Sequence, residues 1–256
     1  MDLLVLTQHW RLIPLMEGTG KTHMAVDRWL LHQHQQGYLP PALRFYTWSP
    51  PAISLGYHQR RWPEAWTNLA WQGEKVDLVR RPSGGRAVLH QGDLTYALIT
   101  SGIAGNRLQA YQRVCQFLID GFQALGIPLG FGDAGRSYRD NPNCFGTATG
   151  ADLVLLENLA YKVIGSAQLW SEGCLLQHGS IRLQPDWDLH QQVFGQPEVP
   201  AQLPEPLASL AKEQSHKRIT ETLTSAAEAC FNACFEVKPL AHWEVEQALE
   251  MFPPAI

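Results

Sequence analysis

Cys144 has the residue type and the surroundings that nucleophilic attack requires. It lies in the polar, turn-forming stretch 141–146, whereas Cys115 and Cys230 fall on apolar helical faces that are typical of core thiols. An exposed thiol near a cation has a lowered pKa and therefore more of the thiolate, which is the nucleophilic form. A loop cysteine can also be incidental, so this residue alone leaves both interpretations open.

Lys162 is the second residue that could take part in chemistry, because it interrupts the apolar run Tyr161–Ile164. Desolvation penalises a buried ammonium unless its charge is partnered or used. At a reactive centre this charge could stabilise a thiolate or an oxyanion. As a base, the amine would need burial to lower its pKa from about 10.4. The alternative is a lysine on an edge strand that points to solvent.

A third segment, Arg80–His90, combines arginines with two adjacent glycines. Gly84 and Gly85 have no Cβ, so their backbone can come close to a ligand. The arginines would supply cationic donors to an anionic or polar ligand. The segment stands between two strand-like runs, and an ordinary hairpin loop is the alternative interpretation.

The stretch Gly18–Thr22 looks like the end of a phosphate-binding loop, in which backbone N–H groups and a lysine surround a phosphate. The full pattern needs a glycine five positions before Gly20, where this chain has Leu15. We also expect Ile13–Leu15 to interrupt the preceding strand. The sequence therefore argues against a nucleotide site here.

These residues must be positioned by helices and short strands. Apolar residues at three- and four-residue steps predict a helix over Leu108–Leu125, which Gly126 and Pro128 end. Two further helices are predicted over 24–36 and 219–231. Closely spaced strand-like runs favour hairpins, and so predict a mixed α/β (α+β) fold with a largely antiparallel sheet flanked by helices. The runs are Leu43–Trp48, Ala52–Leu55, Val76–Val79, Leu94–Thr100, Leu153–Leu156, Tyr161–Ile164 and Leu175–Leu183.

The composition limits the organisation and the partners of the chain. Its 256 residues, 45% of them hydrophobic, predict one domain over 1–256, with the Pro-rich stretch 195–213 as a linker to a C-terminal helical segment. A net charge of −4 makes nucleic acid a poor partner. No signal-like start and no apolar run of about 18 residues is present, so we expect no membrane partner and a cytoplasmic location. The five scattered cysteines indicate free thiols rather than disulfides or a zinc site.

Taken together, these segments resemble the biotin/lipoate protein ligase and octanoyltransferase superfamily, and they occur in its order. The two-glycine form Ser83–His90 is similar to that of the cysteine-dependent octanoyltransferases and amidotransferases, whereas lipoate ligases usually show a third glycine where Arg86 stands. Cys144 followed by Phe145 matches their acyl-accepting cysteine. The matching stretches are Met24–Asp27, Trp48–Gly56, Arg80–His90, Cys144–Phe145, Lys162–Gln168 and Gln177–Ile181.

The resemblance implies a biotin/lipoate-ligase-like catalytic domain that transfers octanoyl groups in lipoate biosynthesis. Octanoyl-acyl carrier protein would be the donor, Cys144 the nucleophile and Lys162 the second catalytic residue. A lysine of a lipoyl-domain protein, for example the glycine cleavage H protein, would be the acceptor, with no metal and no cofactor. The implied substrate-binding residues are Arg81, Ser83, Gly84, Gly85, Arg86, Ala87, His90, Gly165, Ser166, Ala167, His178 and Gly179. For His90 and His178, a purely structural role is an equal alternative.

Three alternatives remain open at this point. An ATP-dependent lipoate ligase would leave Cys144 without a task, an amidotransferase would take its acyl group from another lipoyl domain, and a binding or scaffold relative would be inactive. One departure from the superfamily also stands out. The segment between Cys144 and Lys162 is slightly longer, with Asn158–Ala160 where a glycine turn is usual, and we expect a longer hairpin tip there.

Overall fold

The computed structural model describes residues 8–132, 152–195, 203–205, 207–212 and 216–253. Cys144 and the rest of the stretch 141–146 lie outside these residues. Six helices occur in the described ranges: α1 (Gly20–Gln35), α2 (Arg107–Ala124), α3 (Trp187–Phe194), α4 (Leu207–Lys212), α5 (His216–Phe231) and α6 (His242–Met251). A 3₁₀ turn covers Glu64–Asn68.

Strands of the described ranges form one large sheet and two small ones. The large sheet has the order β13-β1-β2-β8-β12-β11-β10-β9, in which β1 pairs in parallel with β13 and β2, and every other pairing is antiparallel. The predicted mixed, largely antiparallel sheet is therefore confirmed. Its strands are β1 (Gln8–Gly18), β2 (Ala42–Trp48), β8 (Asp93–Ser101), β9 (Leu129–Phe131), β10 (Asp152–Leu155), β11 (Asn158–Ser171), β12 (Cys174–Arg182) and β13 (Ala233–Val237).

The large sheet is covered by helices on both faces. In β8, Leu94, Tyr96 and Leu98 point into a core shared with α2 and α5, whereas Ala97 and Ile99 point into a second core beneath α1. This alternation follows from the two-residue period of a strand, and burial on both faces explains why β8 is an almost continuous apolar run. The three predicted helices are confirmed as α1, α2 and α5.

Helix α1 begins at Gly20, four residues before the predicted start. The side chain of Thr19 accepts a hydrogen bond from the Thr22 amide, and the Gly20 amide donates to the carboxylate of Asp77 at 3.0 Å. A strand also runs unbroken over 8–18, with only a shift in pairing between Ile13 and Met16, so the expected interruption at Ile13–Leu15 was wrong. The helix end that would face a phosphate is thus occupied by Thr19 and Asp77.

A three-stranded sheet of order β6-β3-β7 carries the glycine-containing segment. Its strands are β3 (Ala52–Leu55), β6 (Asp77–Arg80) and β7 (Val88–His90), and residues 81–87 connect β6 to β7. Trp66, Leu189 and Val193 pack in the same apolar cluster as the buried β3 residues. A two-stranded ribbon, β4 (Ala70–Trp71) with β5 (Glu74–Lys75), lies between β3 and β6 in the chain.

The extra residues before Lys162 do not lengthen the hairpin tip. Leu155 pairs with Asn158, so the turn between β10 and β11 has two residues, Leu156 and Glu157. The next pair is Val154 with Lys162, which places the surplus in a bulge of β11. The expected longer tip was therefore wrong, and the bulge adjusts the register next to Lys162.

Helix α4 lies inside the stretch 195–213 that the sequence predicts as a linker. Its Leu207 and Leu210 are buried in the same core as α2 and α5. We propose that the chain is one cooperative domain, because α4 and α5 share this core with the large sheet.

Among the described residues, no helix is long and apolar enough to cross a membrane.

Replacement of Leu207 by alanine tests the one-domain proposal. The side chain is fully buried, so the substitution should lower the free energy of unfolding by about 2–5 kcal/mol within a single transition. Ser209→Ala, on the exposed side of α4, is the matched control and should change it by about 0.5 kcal/mol. Denaturant unfolding followed by circular dichroism and by fluorescence would contradict the proposal if the two probes gave separate transitions.

Candidate active site

A cavity of about 290 Å³ opens between the large sheet and the three-stranded sheet. Such clefts, mostly apolar with a few polar groups, are the usual form of small-molecule sites. The structure brings ten of the predicted site residues together around it, although the roles assigned to them stay predictions. They are Arg81, Gly84, Gly85, His90, Lys162, Gly165, Ser166, Ala167, His178 and Gly179.

Lys162 reaches the cavity from β11 and is 2% exposed. Because β11 lies between β10 and β12, the alternative of an edge-strand lysine that points to solvent was wrong. The ammonium forms an ion pair with Asp152, the first residue of β10, at 2.8 Å. This partner compensates the desolvation of the charge, which can then act on a ligand in the cavity.

Asp27, on the buried face of α1, connects this helix to the sheet. One carboxylate oxygen pairs with Arg44 at 2.9 Å, and the other accepts hydrogen bonds from Tyr46 and from Nδ1 of His178. Burial alone would raise the pKa of Asp27, but the Arg44 guanidinium and His178 outweigh it and hold the pKa below its ordinary value. Asp27 is therefore a fully buried carboxylate that stays ionised.

His23 completes this charged cluster. Burial, and then the nearby Arg44 charge, lower the pKa of His23 to about 3, so its ring is neutral at neutral pH. Nδ1 accepts from Arg44 at 3.0 Å, and Nε2 lies 2.9 Å from the Thr47 carbonyl, to which it donates. The neutral ring thus satisfies one more donor of the buried guanidinium without adding a second positive charge.

His178 links the buried cluster to the glycine-containing segment. With Nδ1 donating to Asp27, Nε2 accepts from the hydroxyl of Ser83, which is 1% exposed. Ser83 is not on the cavity wall, and neither is Ala87, which packs in the apolar cluster of the three-stranded sheet. These two predicted binding residues therefore contribute by holding the segment.

Arg81 determines the shape of the turn. Its guanidinium donates to the carbonyls of Ser54, Gly84 and Arg86 at 2.8, 2.8 and 2.6 Å. Gly85 has a φ of +95°, and its carbonyl passes so close to Gly56 that a Cβ there would lie 1.8 Å from it. The arginine and the glycines thus build a tight turn, with the backbone of Arg86 serving as an acceptor.

His90 occupies a position like that of His178. Its Nδ1 donates to Asp93 at 2.8 Å, its Nε2 accepts from Ser54 at 2.8 Å, and its ring stacks on Trp48 at 3.9 Å. Burial lowers the pKa of His90 although Asp93 opposes this effect, so the ring is neutral. His90 thus joins β3 to β8, as His178 joins the glycine turn to α1, which supports the structural alternative for each histidine.

The cavity wall opposite the turn is formed by β11 and β12. Gly165, Ser166 and Ala167 line it, and the Ser166 hydroxyl lies 2.8 Å from that of Tyr96. A Cβ on Gly179 would lie 2.4 Å from the Ser166 oxygen and 2.6 Å from the Tyr96 ring, so only glycine leaves this space open. Apolar surface comes from Met24, Tyr46, Trp48, Val88 and Tyr111.

The four cysteines within the described ranges are not on this cavity. Burial raises the pKa of Cys115 to about 12, so its thiolate is scarce at neutral pH, and burial also raises the pKa of Cys174 and of Cys230. Cys234 is exposed on β13, an edge strand of the large sheet that four strands separate from β11. None of these thiols is placed to attack a ligand in the cavity.

Sequence reasoning missed Asp27, Arg44 and Asp152 as site residues. Each is a charged residue on an apolar helix face or beside an apolar strand, which is the signal that identified Lys162. Applying that signal throughout would have found Arg44 in the run Leu43–Trp48. The pairing of these charges depends on contacts between segments that are separate in the sequence. Arg44 is 17 positions from Asp27, and His178 is 151 positions from it.

Comparison with known proteins identifies the class to which this fold and cavity belong. The lipoyl protein ligase A/B catalytic domain matches residues 19–231, and the chain belongs to this family. Octanoyltransferase LipM of Kyrpidia tusciae is 36% identical over 190 residues, which are 70% of this chain and 68% of that protein. Octanoyltransferase LipM of Halalkalibacterium halodurans is 35% identical over 199 residues, with 73% and 71% covered. The resemblance seen in the sequence is thus confirmed.

Solved structures agree at the level of the fold. Lipoate-protein ligase A bound with ATP superposes with a TM-score of 0.75 at 18% identity, covering 96% of this chain and 94% of that one. A bi-partite lipoate protein ligase of Thermoplasma acidophilum gives a TM-score of 0.69 at 19% identity, covering 95% and 92%. The expected lipoate-ligase-like fold is therefore confirmed.

The neutral buried histidines predict acid sensitivity of the fold. Because the pKa of His23 is lowered from 6.5 to about 3, the unfolded chain binds a proton that the native chain does not between these values. The free energy of unfolding should therefore fall as the pH drops below 6.5, by up to about 1.4 kcal/mol per pH unit for this residue. The lowered pKa values of His90 and His190 add to this effect below pH 6.5, whereas that of Asp27 acts in the same direction only below its ordinary value of 3.8.

Denaturant unfolding of the wild type and of His23→Gln between pH 7 and pH 5 measures this effect. The variant should show a shallower dependence on pH, while His9→Gln, at an exposed position on β1, should retain the wild-type slope. Equal slopes for the wild type and His23→Gln would show that His23 is not the buried neutral group described above.

Proposed function

We propose that this chain is an octanoyltransferase in which Cys144 carries the acyl group and Lys162 assists its transfer. The observation that carries the proposal is Lys162 itself, a buried ammonium paired with Asp152 on the wall of a cavity whose exposed surface is mostly apolar. A fixed positive charge in such surroundings stabilises the oxyanion that forms when a thioester carbonyl is attacked. The similarity to octanoyltransferases LipM supports the choice of the octanoyl group.

The two half-reactions follow from this assignment. The Cys144 thiolate attacks the carbonyl of octanoyl-acyl carrier protein, a new C–S bond forms, and the thiolate of the carrier leaves and takes up a proton. The amine of a lipoyl-domain lysine, for example on the glycine cleavage H protein, then attacks the acyl-enzyme. An amide forms, the nitrogen loses a proton, and the Cys144 thiolate is released. One thioester replaces another before the downhill amide step, so the route requires no ATP.

The ion pair with Asp152 supports an electrostatic role for Lys162. Asp152 binds the ammonium form, and a charge held at 2.8 Å by a carboxylate is oriented before the substrate arrives. The turn 83–86 and Gly165–Ala167 would provide the surrounding backbone, because they line or support the cavity. In the proposal, the apolar wall with Trp48 and Val88 receives the acyl chain.

Incubation with octanoyl-acyl carrier protein without ATP tests the proposal. Intact mass spectrometry should show one added octanoyl group, and peptide mapping should place it on Cys144. Cys144→Ser should give no thioester, while Cys234→Ser, at an exposed position away from the cavity, should be acylated as fast as the wild type. Lys162→Met should slow acylation by about 100-fold or more, since it removes an oxyanion-stabilising charge.

Lys162→Met also removes the ion-pair partner of the buried Asp152, so the double variant Lys162→Met with Asp152→Asn separates folding from chemistry. It should recover stability that the single variant loses, but not its acylation rate. A chain that remains unmodified, and that attaches lipoate only when ATP is supplied, would contradict the proposal in favour of a ligase.

A further inference from the structure

A second cavity of about 480 Å³ adjoins the first and shares Arg81, Gly84 and Gln168 with it. Its walls come from α1, the start of α2, the segment after β3, the turn after β6 and the outer part of β11. Four arginines line this second cavity, and none of its described lining residues is an aspartate or a glutamate. In a chain with a net charge of −4, this concentration of positive charge favours an anionic ligand.

The four arginines are used in two different ways. Arg81 holds the glycine turn, and Arg80 donates to the carbonyls of Gly56 and Gln59 at 3.0 and 2.7 Å. Arg28 and Arg107 are exposed, and no ion pair among the described residues includes either of them. The Cζ atom of Arg28 lies 4.6 Å from the centroid of the Phe252 ring, a cation–π contact.

The position of Arg107 has no structural benefit for its own helix. It is the first residue of α2, where the helix dipole disfavours cations, and the first turn of α2 contains no acidic residue to offset it. A residue that locally opposes the fold is often explained by binding. Its guanidinium can form paired hydrogen bonds with phosphate oxygens, as can that of Arg28.

We infer that the second cavity binds the phosphate group of the donor's prosthetic arm, an inference that rests on the proposed function. An acyl carrier protein presents its thioester on a pantetheine arm that ends in a phosphodiester. With the acyl chain in the first cavity, the arm leaves past the shared residues Gly84 and Gln168 into the arginine-lined second cavity. Arg28 and Arg107 bind the phosphodiester there and so favour donors that carry it.

Two small donors that differ only in a phosphate test this inference. Octanoyl-phosphopantetheine should acylate the wild type about tenfold more efficiently than octanoyl-pantetheine, as expected for two solvent-exposed charge contacts, and added salt should reduce the difference. The double variant Arg28→Gln with Arg107→Gln should lose this preference. Lys21→Gln with Arg113→Gln removes the same charge from exposed positions on the same two helices that do not line the cavity, and it should keep the preference.

Each other outcome is informative. A preference that persists in the Arg28/Arg107 variant, or that the wild type lacks, would overturn the inference while leaving the proposed function intact. If the variant instead slowed only the transfer from preformed acyl-enzyme to the lipoyl domain, the cavity would serve the acceptor and the inference would again be wrong. Failure of every donor to acylate the wild type would refute the proposed function itself.

Discussion

The fully buried carboxylate of Asp27 connects the elements that surround the cavity. It binds Arg44 of β2 and His178 of β12, and His178 in turn holds Ser83 at the start of the glycine turn. Three separate parts of the chain are therefore tied to one side chain of α1. An unpaired charge at this depth would be strongly destabilising, so the arrangement is stable only when every partner is in place. The hydrogen bonds from Asp27 through His178 to Ser83 therefore fix the glycine turn relative to the large sheet.

Lys162 and Asp152 form a second buried ion pair, in which each charge again depends on its partner. Both pairs are almost completely buried, but only the second pair, Lys162 with Asp152, lines the cavity. The Asp27 cluster therefore gives the cavity its shape, whereas the second pair brings the ammonium of Lys162, held by Asp152, to the cavity wall. Because Gly179 leaves the space beside Ser166 and Tyr96 open, the Lys162 ammonium is accessible to a ligand in surroundings that strengthen its effect.

Much of this fold could be predicted from local patterns. Helical periodicity identified α2, α1 and α5, and strand-like runs identified most of the large sheet, because these signals depend on which face of each element is buried. The start of α1 was missed because apolar periodicity does not register its Thr19 cap and because Asp77 lies far along the chain. The bulge before Lys162 depends on the partner strand. The resemblance to the superfamily identified the glycine turn and Lys162 from the sequence. The pairing of Asp27 with Arg44, in contrast, is recognisable only when α1 is packed on β2.

The proposed chemistry requires a cysteine-bound acyl group that occupies the cavity beside Lys162. A crystal structure of the wild-type chain after acylation by an octanoyl thioester measures this directly. We expect density continuous from the Cys144 sulfur into the cavity, with the thioester oxygen within hydrogen-bonding distance of the Lys162 amine. An acyl chain bound elsewhere, or a thioester remote from Lys162, would contradict it.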